Sequence, residues 1–283
     1  MKKIYHCLFA IILILGGGLL NSCSKKIGKT YPECVKVIEV VHEANTDYDI
    51  VEFGSFPQSK NEDGTYNVEK LRWKVVQKDR NKAFLICENV ITGNVPFYDK
   101  FTDNRELDGK IIYPNNYEYS EVRAFLNGLA FPDPKEINRK WENKGFLQTA
   151  FTESEQEKIL ITLVDNSLPQ MKFDEESKTD SKYICEDTKD KIFLLSEKEI
   201  NSPELSFIDD ASRIRAATDY AYDNMAFRSG LESKGGIWWT RSPVSFYASR
   251  GAIVLYTGEA DGKTNRVRDP ITGVVPALWV ELE

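Results

Sequence analysis

The chain is poor in the residues that most catalytic and metal sites need. Its 283 residues include two histidines, His6 and His42, and five cysteines. This supply does not favour a Ser-His-Asp triad, an HExxH zinc motif or a multi-histidine metal site. A phosphate-cradling glycine loop is missing too, since the glycines at 16–18 lie in an apolar leader and those at 235–236 are typical of a turn. We therefore expect no metal and no cofactor.

Positive charge is also scarce. The sequence has 37 basic and 44 acidic side chains, and its net charge is −7 at pH 7. Nucleic acid requires a basic protein surface because its backbone is a chain of phosphates, so no nucleic-acid partner is expected. The hydrophobic fraction of 41% instead predicts a globular protein with a core.

The first 22 residues resemble a secretory signal, with two lysines followed by an apolar stretch at 8–15. A helix that crosses a bilayer needs about 20 apolar residues, and this run is shorter and is followed by three glycines. An anchor that is never cleaved is the alternative. The sequence therefore predicts a removable signal at 1–22.

The end of this leader, LNSC at 20–23, resembles a lipobox, whose cysteine receives lipid. Cys23 is accordingly the predicted lipidation site, and each buried methylene of its acyl chains adds about 0.8 kcal/mol to membrane attachment. Ser24 follows, whereas an aspartate would suggest retention at the inner membrane in some bacteria. We expect a lipid-anchored protein of the cell envelope, at the outer membrane, with the membrane as one partner.

Three cysteines remain after the lipidated one, and they allow at most one internal disulfide. They are Cys34, Cys87 and Cys185, and the sequence leaves open whether two of them pair. Cys87 lies in the apolar run FLIC, which favours a small buried side chain.

The rest of the chain predicts a tether with a short helix or strand at 23–47 and one globular domain at 48–283. LRWKVVQKD at 71–79 and KAFLICE at 82–88 predict a hairpin, whose second strand is apolar enough to be covered on both faces. Ser120 predicts the start of a helix, and Thr152 with Glu155 forms a capping box.

The second half alternates short apolar runs with polar segments. The sequence predicts a strand at 159–164, a long polar loop at 165–190 and a strand at KIFLL, followed by a helix capped by Ser196 and Glu199. A further helix is predicted from residue 211. IWWTRSP, GAIVLYTG and GVVPALWV then predict short strands separated by turns. The expected fold class is α+β.

Several motifs in this order resemble one bacterial family, the domain of unknown function 6273. They are FGSFPQ, LRWKVV, AFLNG, FLQTAF, KIFLLS, AATDYA, WWTRSP and GVVPALWV. The resemblance runs from about Ile50 to Val280. Val275 departs from it, because the family commonly has arginine before the proline of the last motif.

The C-terminal motifs are also similar to the end of C-type-lectin-like and sulfatase-modifying folds. This similarity implies a single compact domain with a mixed sheet, flanking helices and long loops. It implies no activity, because such folds host sugar-binding, protein-binding and enzymatic members. The calcium-binding EPN and WND triplets of sugar-binding lectins are absent from the sequence, as are paired C-terminal cysteines.

The motif WWTRSP contains the first candidate binding residues. If Trp238 and Trp239 lie on a strand, one faces the core and the other can be exposed beside Arg241, where it would stack on a sugar ring or a peptide aromatic. In the alternative, both tryptophans are core and Arg241 forms a structural ion pair with an acid of the helix starting near 211. We favour the alternative.

The following loop supplies the other candidates, Phe246, Tyr247 and Arg250, because aromatic residues in a loop are less readily explained by packing. Two acidic groups are possible calcium ligands by residue type, but neither matches an EF-hand loop, and solvated charge is the better interpretation of both. They are Asp47 with Asp49, and Glu186 with Asp187 and Asp190.

Three functions fit these observations. The first is a non-catalytic envelope module that binds glycan, peptide or protein through the C-terminal aromatic residues. The second is a structural or assembly lipoprotein that docks to another envelope protein. The third is an extracytoplasmic hydrolase that uses two carboxyl groups facing each other across a cleft.

Overall fold

The protein was analysed as a computed structural model, which describes residues 29–43, 46–100, 104–132, 137–244 and 246–283. The predicted signal at 1–22 and the predicted lipidation site Cys23 lie outside these residues. Among the described residues, no helix is long and apolar enough to cross a membrane.

The chain forms many short elements, and the large majority are strands. The strands are β1 Lys36–Glu43, β2 Thr46–Lys60, β3 Tyr66–Lys78, β4 Lys82–Cys87, β5 Asn89–Val90, β6 Arg105–Leu107, β7 Lys110–Ile112, β8 Phe131–Pro132, β9 Ile137–Asn138, β10 Thr162–Val164, β11 Thr188–Asp190, β12 Ile192–Phe193, β13 Ala216–Ala217, β14 Trp238–Pro243, β15 Arg250–Val254, β16 Thr264–Arg266 and β17 Ala277–Glu281. The helices are α1 Glu121–Asn127, α2 Phe146–Ala150, α3 Glu153–Lys158, α4 Asp210–Arg213 and α5 Asp219–Asp223, with 3₁₀ turns at Ser181–Tyr183, Glu199–Asn201 and Pro203–Leu205.

The main sheet has six antiparallel strands in the order β1-β2-β3-β4-β17-β12. Strands β1 to β4 form a meander, and the C-terminal strand β17 lies between β4 and β12. Its residue Trp279 pairs with Phe84 of β4, while Leu278 pairs with Ile192 of β12. The chain's last strand therefore joins the N-terminal meander to the loop-rich second half. The expected α+β class is confirmed.

The predicted hairpin of β3 and β4 is confirmed, with antiparallel pairing of Val75 to Leu85. Strand β4 is buried on both faces, as its apolar sequence predicts, because residues 83–87 are all at most 4% exposed. Cys87 is one of them, and it is a free thiol. Cys34 and Cys185 are free thiols as well, so the structure shows no disulfide among these three cysteines.

The predicted caps form. The Ser120 hydroxyl accepts a hydrogen bond from the backbone N–H of Arg123 at 3.2 Å, which starts α1. The Thr152 hydroxyl accepts from the N–H of Glu155 at 3.3 Å, and the Glu155 carboxylate accepts from the N–H of Thr152 at 2.9 Å, which completes the capping box of α3. The same reciprocal pair joins Ser196 and Glu199, although the segment it opens is only a 3₁₀ turn.

Two predicted elements are wrong in extent. The helix from residue 211 is interrupted, because β13 separates α4 from α5 and pairs in parallel with β5. Thr218 causes the second start, since its hydroxyl accepts from the N–H of Ala221 at 3.0 Å and caps a new helix. The strand predicted at 159–164 is limited to β10, which pairs with β11 inside the predicted polar loop.

Two carboxylates of helix α5 bind the hairpin of β2 and β3, and the first, Asp219, accepts from the backbone N–H of Lys60 at 3.2 Å. Asp223 accepts from Lys60 Nζ at 2.7 Å and from the Tyr66 hydroxyl at 2.6 Å. These hydrogen bonds hold the pKa of Asp223 below its usual value. The helix is thereby placed beside the polar end of the hairpin, where it forms one wall of the cavity described below.

Candidate ligand-binding site

The C-terminal aromatic motif lies inside the protein. Trp238 and Trp239 are 0% exposed and Arg241 is 1% exposed. The favoured interpretation, that both tryptophans are core, is confirmed, and the assignment of Trp239 as an exposed binding residue is wrong, because β14 is buried along its whole length on both faces. Trp239 and Arg241 do not reach the surface that a ligand would contact.

Packing explains both tryptophans. The Trp239 ring meets Phe97 in a T-shaped contact with centroids 5.2 Å apart. It also lies against Gly251 of β15, where a Cβ atom would be 3.2 Å from the indole ring. The Trp238 indole N–H donates to the carbonyl of Arg213 at 3.3 Å. These contacts join β14 to its neighbours and make the pair part of the core.

Arg241 organises the loops around β14. Its Nε donates to Asn166 Oδ1 at 3.2 Å, and its two Nη atoms donate to the carbonyls of Leu194 at 2.9 Å and Asp165 at 3.0 Å. Both Nη atoms also contact the carboxylate of Glu199, one of them at 3.1 Å. Burial disfavours the charge, but Glu199 outweighs burial and raises the pKa of Arg241. The structural ion pair is present, although its acid belongs to the 3₁₀ turn and not to the helix near 211.

The loop after β14 does reach the surface. Phe246 is 67% exposed and Tyr247 is 60% exposed. The Asn115 side-chain amide holds this loop by donating to the carbonyls of Tyr247 and Arg250, both at 3.2 Å. Arg250 is half-buried and donates to Thr264 Oγ1 at 3.1 Å. Two of the predicted binding residues thus present aromatic rings to solvent on an anchored backbone.

The acidic groups have structural partners of their own. Asp190 is 2% exposed and forms an ion pair with Arg123 at 2.9 Å, so its interpretation as solvated charge is wrong. Asp49 accepts from the Tyr31 hydroxyl at 2.6 Å and from Lys78 at 3.0 Å. Across the described ranges, no group of three or more His, Cys, Asp or Glu side chains is arranged to hold a metal ion.

Two carboxyl groups do share a small cavity. Glu197 and Asp261 line a space of about 170 Å³ under the end of β14. Burial, followed by the charges of Asp261 and Asp174, raises the pKa of Glu197 to about 8. Sites for small molecules are usually about 300–1,000 Å³. The cavity is therefore too small for a substrate of ordinary size, and it gives little support to a hydrolase.

A larger cavity of about 520 Å³ lies where the β2–β3 hairpin, the loop at 92–95 and the helices α1, α2 and α5 meet. This volume is in the range of ligand sites. We call it the aromatic cavity, and it is lined by Ser55, Phe56, Pro57, Val68, Thr92, Gly93, Asn94, Val95, Phe125, Lys140, Trp141, Lys144, Thr149, Tyr220 and Asn224.

Aromatic rings in edge-to-face contact form one wall of the aromatic cavity. Phe56 of β2 makes T-shaped contacts with Phe146, at a centroid distance of 5.2 Å, and with Tyr220 of α5, at 5.5 Å. Tyr220 in turn makes a T-shaped contact with Tyr66 of β3 at 5.1 Å. Edge-to-face contacts of this kind fix ring orientations, so the wall is pre-formed.

Trp141 forms the opposite wall. Its ring meets Phe125 of α1 in a T-shaped contact at 4.9 Å, and its indole N–H donates to Glu121 Oε1 at 3.1 Å. Lys140 Nζ lies 4.5 Å from the centre of the same ring and 2.7 Å from Glu121 Oε1. Because Lys140 is already paired with Glu121, its charge is largely balanced within the protein.

Three polar side chains of the lining bond to the backbone. Thr92 Oγ1 donates to the carbonyl of Gly93 at 3.1 Å, Thr149 Oγ1 donates to that of Gly145 at 2.9 Å, and Asn224 Nδ2 donates to that of Tyr220 at 2.9 Å. These donors are occupied. The cavity therefore offers a ligand mainly aromatic and aliphatic surface, together with three polar groups whose donors are in use.

Lys144 and Val68 lie at the open side of the cavity. Lys144 is exposed, and its ammonium group forms no ion pair with any carboxylate that the structure describes. Val68 is 67% exposed on β3. An unpaired cation and an exposed aliphatic side chain thus border the aromatic walls.

Gly93 closes the bottom of the cavity through backbone contact. A Cβ atom at this position would lie 2.3 Å from the backbone nitrogen of Ala226 and 2.6 Å from the carbonyl oxygen of Asn224. Only glycine allows the loop to approach the end of α5 so closely. The spacing between the loop and α5 is therefore fixed by the fold.

Sequence reasoning did not select the residues of this cavity. Its lining comes from six separate stretches of chain, and no local pattern joins them. Three motifs noted in the sequence nevertheless contribute a ring each: FGSFPQ holds Phe56, AFLNG holds Phe125 and AATDYA holds Tyr220. The one feature of the sequence that pointed to this cavity is the aromatic residue in each of these separate motifs.

A family model for a domain of unknown function, DUF6273, matches residues 80–282. The match begins after the motifs FGSFPQ and LRWKVV, so β1, β2 and β3 lie outside it. No curated protein and no solved structure matches the chain.

Proposed function

We propose that this chain, which belongs to the family of the domain of unknown function DUF6273, is a non-catalytic binding module of the cell envelope. The aromatic cavity is its ligand site, and the ligand is a peptide that inserts an apolar side chain. The observation that carries this proposal is the pairing of fixed aromatic walls with three polar side chains, Thr92, Thr149 and Asn224, that already donate to backbone carbonyls.

The lining favours an apolar side chain over a sugar. A sugar ring needs hydrogen bonds for its hydroxyl groups, and a polar group buried without a partner costs about 1–3 kcal/mol. The hydroxyls of Thr92 and Thr149 and the amide N–H₂ of Asn224 already donate to backbone carbonyls. Burying an aliphatic or aromatic side chain here contributes about 25 cal/mol per Å² of apolar area and requires no such donors.

Lys144 defines the polar end of the ligand. Its charge has no counter-ion among the carboxylates that the structure describes, and it lies beside the mouth of the cavity. A peptide with a carboxylate next to the apolar residue would supply this counter-ion. An exposed ion pair contributes roughly 0.2–1 kcal/mol, so Lys144 selects among ligands and the cavity provides most of the affinity.

The leader at 1–22 supports a location in the cell envelope. The short distance from Cys23 to the domain would keep the domain close to the membrane. We propose that Cys23 carries lipid at the outer membrane, and Lys29, the first described residue, lies six positions after it. A fully extended chain spans at most about 3.6 Å per residue, so the domain would be held within roughly 22 Å of the lipid. The backbone of Thr30 pairs with that of Glu283, which fixes this entry point on the domain.

A peptide panel tests the proposal. Isothermal titration of the domain from Ser24 onward would use N-acetylated, C-amidated Phe-Glu, Phe-Gln and Gly-Glu, with chitobiose as the glycan. Phe-Glu is expected to bind most tightly, Phe-Gln a few-fold more weakly and Gly-Glu not measurably. If chitobiose binds and Phe-Glu does not, the peptide proposal is wrong and the ligand is a glycan.

Matched variants locate the site. Val68→Asp places a charge at the mouth of the cavity and should weaken Phe-Glu binding at least tenfold, because the apolar side chain would pass a carboxylate. Ile161→Asp is the control, since Ile161 is 69% exposed and Val68 is 67% exposed, but Ile161 does not line the cavity. Equal affinities of these two variants would place the ligand elsewhere.

A second candidate surface is the anchored loop with Phe246 and Tyr247. Two exposed rings on a backbone held by Asn115 favour docking to another envelope protein, because aromatic residues are enriched in protein interfaces. The motifs WWTRSP and GVVPALWV also support our proposal that the C-terminal part is C-type-lectin-like. Retention of an envelope protein by the wild-type domain and not by a Phe246→Ala, Tyr247→Ala double variant would assign this surface to docking.

A further inference from the structure

A buried arginine outside the aromatic cavity has no acidic partner. Arg215 lies between α4 and β13 and is 7% exposed. Its Nη1 donates to the carbonyls of Ser212 and Ile214, both at 2.9 Å, and its Nε is buried without an acceptor. Within the described ranges, no carboxylate forms an ion pair with this side chain.

Two other buried arginines show the usual arrangement. Arg213 is 5% exposed and contacts the carboxylate of Asp210, while Arg241 is 1% exposed and contacts that of Glu199. A buried charge without a partner is strongly destabilising. Burial accordingly lowers the pKa of Arg215 to about 10. The unpaired charge of Arg215 therefore destabilises the folded state, whereas the carboxylate partners of Arg213 and Arg241 largely offset the burial of their charges.

A cavity of about 440 Å³ lies against Arg215, and its size again falls in the range of ligand sites. We call it the Arg215 cavity, and its walls are Tyr48, Lys74, Glu88, Ser206, Ile208, Asp209, Ala211, Ser212, Ile214 and Arg215. It is separate from the aromatic cavity, since the two share no lining residue.

The two carboxylates of this cavity are engaged elsewhere. Glu88 forms an ion pair with Arg72 at 2.7 Å. Asp209 caps α4, and its Oδ1 accepts from the backbone N–H of Ser212 at 2.8 Å. Neither forms an ion pair with Arg215. The charge of the guanidinium is therefore available to a bound group.

We propose that the Arg215 cavity binds an oxyanion, the carboxylate or phosphate group of a small molecule, through the guanidinium of Arg215. A guanidinium presents its N–H groups as a planar fork that matches both kinds of oxyanion. The apolar side chains of Ile208 and Ile214 line the same cavity and would contact the rest of the molecule. This site is independent of the proposed peptide site.

Titration with simple anions tests the proposal. The probes are sodium phosphate, sodium sulfate and sodium acetate at constant ionic strength, with sodium chloride as the reference, and the readout is the melting temperature with Kd from calorimetry. At least one probe is expected to raise the melting temperature saturably, because a ligand that binds only the folded state stabilises it. Acetate acting as well as phosphate identifies a carboxylate site, and phosphate and sulfate acting alone identify a site for dianions.

Substitutions assign the effect to Arg215. Arg215→Met is expected to weaken anion binding at least tenfold, whereas Arg228→Met, which removes an arginine of another cavity, should leave it unchanged. If Arg215→Met does not fold, Arg215→Lys serves instead, since lysine keeps the charge but lacks the fork, and a severalfold loss is expected. No saturable stabilisation of the wild-type protein, or equal stabilisation of the Arg215 and Arg228 variants, would overturn the proposal.

Discussion

Two aromatic regions of this molecule differ in what surrounds them. Around β14, Trp238 and Trp239 are completely buried, and the adjacent Arg241 makes hydrogen bonds to protein through all of its nitrogens. In the aromatic cavity, the rings of Trp141 and Tyr220 are half-buried and border about 520 Å³ of open space.

This difference separates residues that stabilise the fold from residues that are available to bind a ligand. Where side chains fill the volume, a substitution should change the stability of the fold. Where rings are fixed but the volume between them is open, a substitution at the mouth should change binding and leave stability nearly intact. The conspicuous motif WWTRSP belongs to the first class, and the less conspicuous rings Phe56, Trp141 and Tyr220 belong to the second.

The largest expected effect is that of Arg241→Met. This change removes the Arg241 donors from the Glu199 carboxylate and from three other oxygen acceptors, and breaking a buried ion pair costs about 3–5 kcal/mol. Urea denaturation should show a loss of this size in the free energy of unfolding. Arg266→Met is the control, because Arg266 is exposed on β16 and should change stability by less than about 0.5 kcal/mol. Similar losses of unfolding free energy in both variants would contradict the assignment of Arg241 to the packed region around β14.

The next effect depends on pH and concerns Glu197, which lies under the end of β14. Its pKa is raised from 4.5 to about 8, so the folded state holds a proton that the unfolded state releases above pH 4.5. The wild-type protein should therefore lose stability between about pH 4.5 and pH 8, by at most about 1.4 kcal/mol for each unit of the pKa difference. Below pH 4.5 and above pH 8 this contribution is constant.

Glu197→Gln removes the titrating carboxyl group, and it should remove the part of the pH dependence of stability that this group causes. Denaturation midpoints of both proteins at pH 4.5, 6 and 8 measure the difference. Glu232→Gln, at an exposed position, serves as the control and should keep the wild-type slope. Parallel pH profiles for wild type and Glu197→Gln would show that the carboxyl is hydrated in the folded protein.

The smallest effect is expected in the loop that follows β14. Phe246→Ala and Tyr247→Ala should each change the free energy of unfolding by less than about 0.5 kcal/mol, because more than half of each side chain is exposed. Thermal and urea melts measure this directly. A loss above about 2 kcal/mol would mean that the rings pack against the protein, and it would remove the loop as a docking surface.

Local sequence patterns predicted the local elements well. Ser120 and the Thr152–Glu155 box start helices because capping is decided within four residues of chain. The β3–β4 hairpin is likewise a contact between neighbours. The burial of Trp239 was harder to predict, since alternation along a strand assumes that one face is solvated, and β14 is covered on both faces by distant segments.

The site depends on contacts between distant parts of the chain. Phe56 and Tyr220 are 164 positions apart in sequence, and Trp141 lies between them without belonging to any motif. The acidic partner of Arg241 could not be predicted from local sequence either. Asp210 lies near the expected position, but it forms an ion pair with Arg213 instead. Only the three-dimensional arrangement reveals which carboxylate remains for which arginine.

The indole N–H signals of the five tryptophans test the central claim most directly. In a nitrogen-15-labelled domain titrated with N-acetylated, C-amidated Phe-Glu, the Trp141 signal should shift saturably, because its ring lines the aromatic cavity and its N–H donates to Glu121. The signals of Trp238 and Trp239 should stay in place, and Trp141→Phe provides the assignment. A stationary Trp141 signal, or a shift confined to Trp238 and Trp239, would contradict the account.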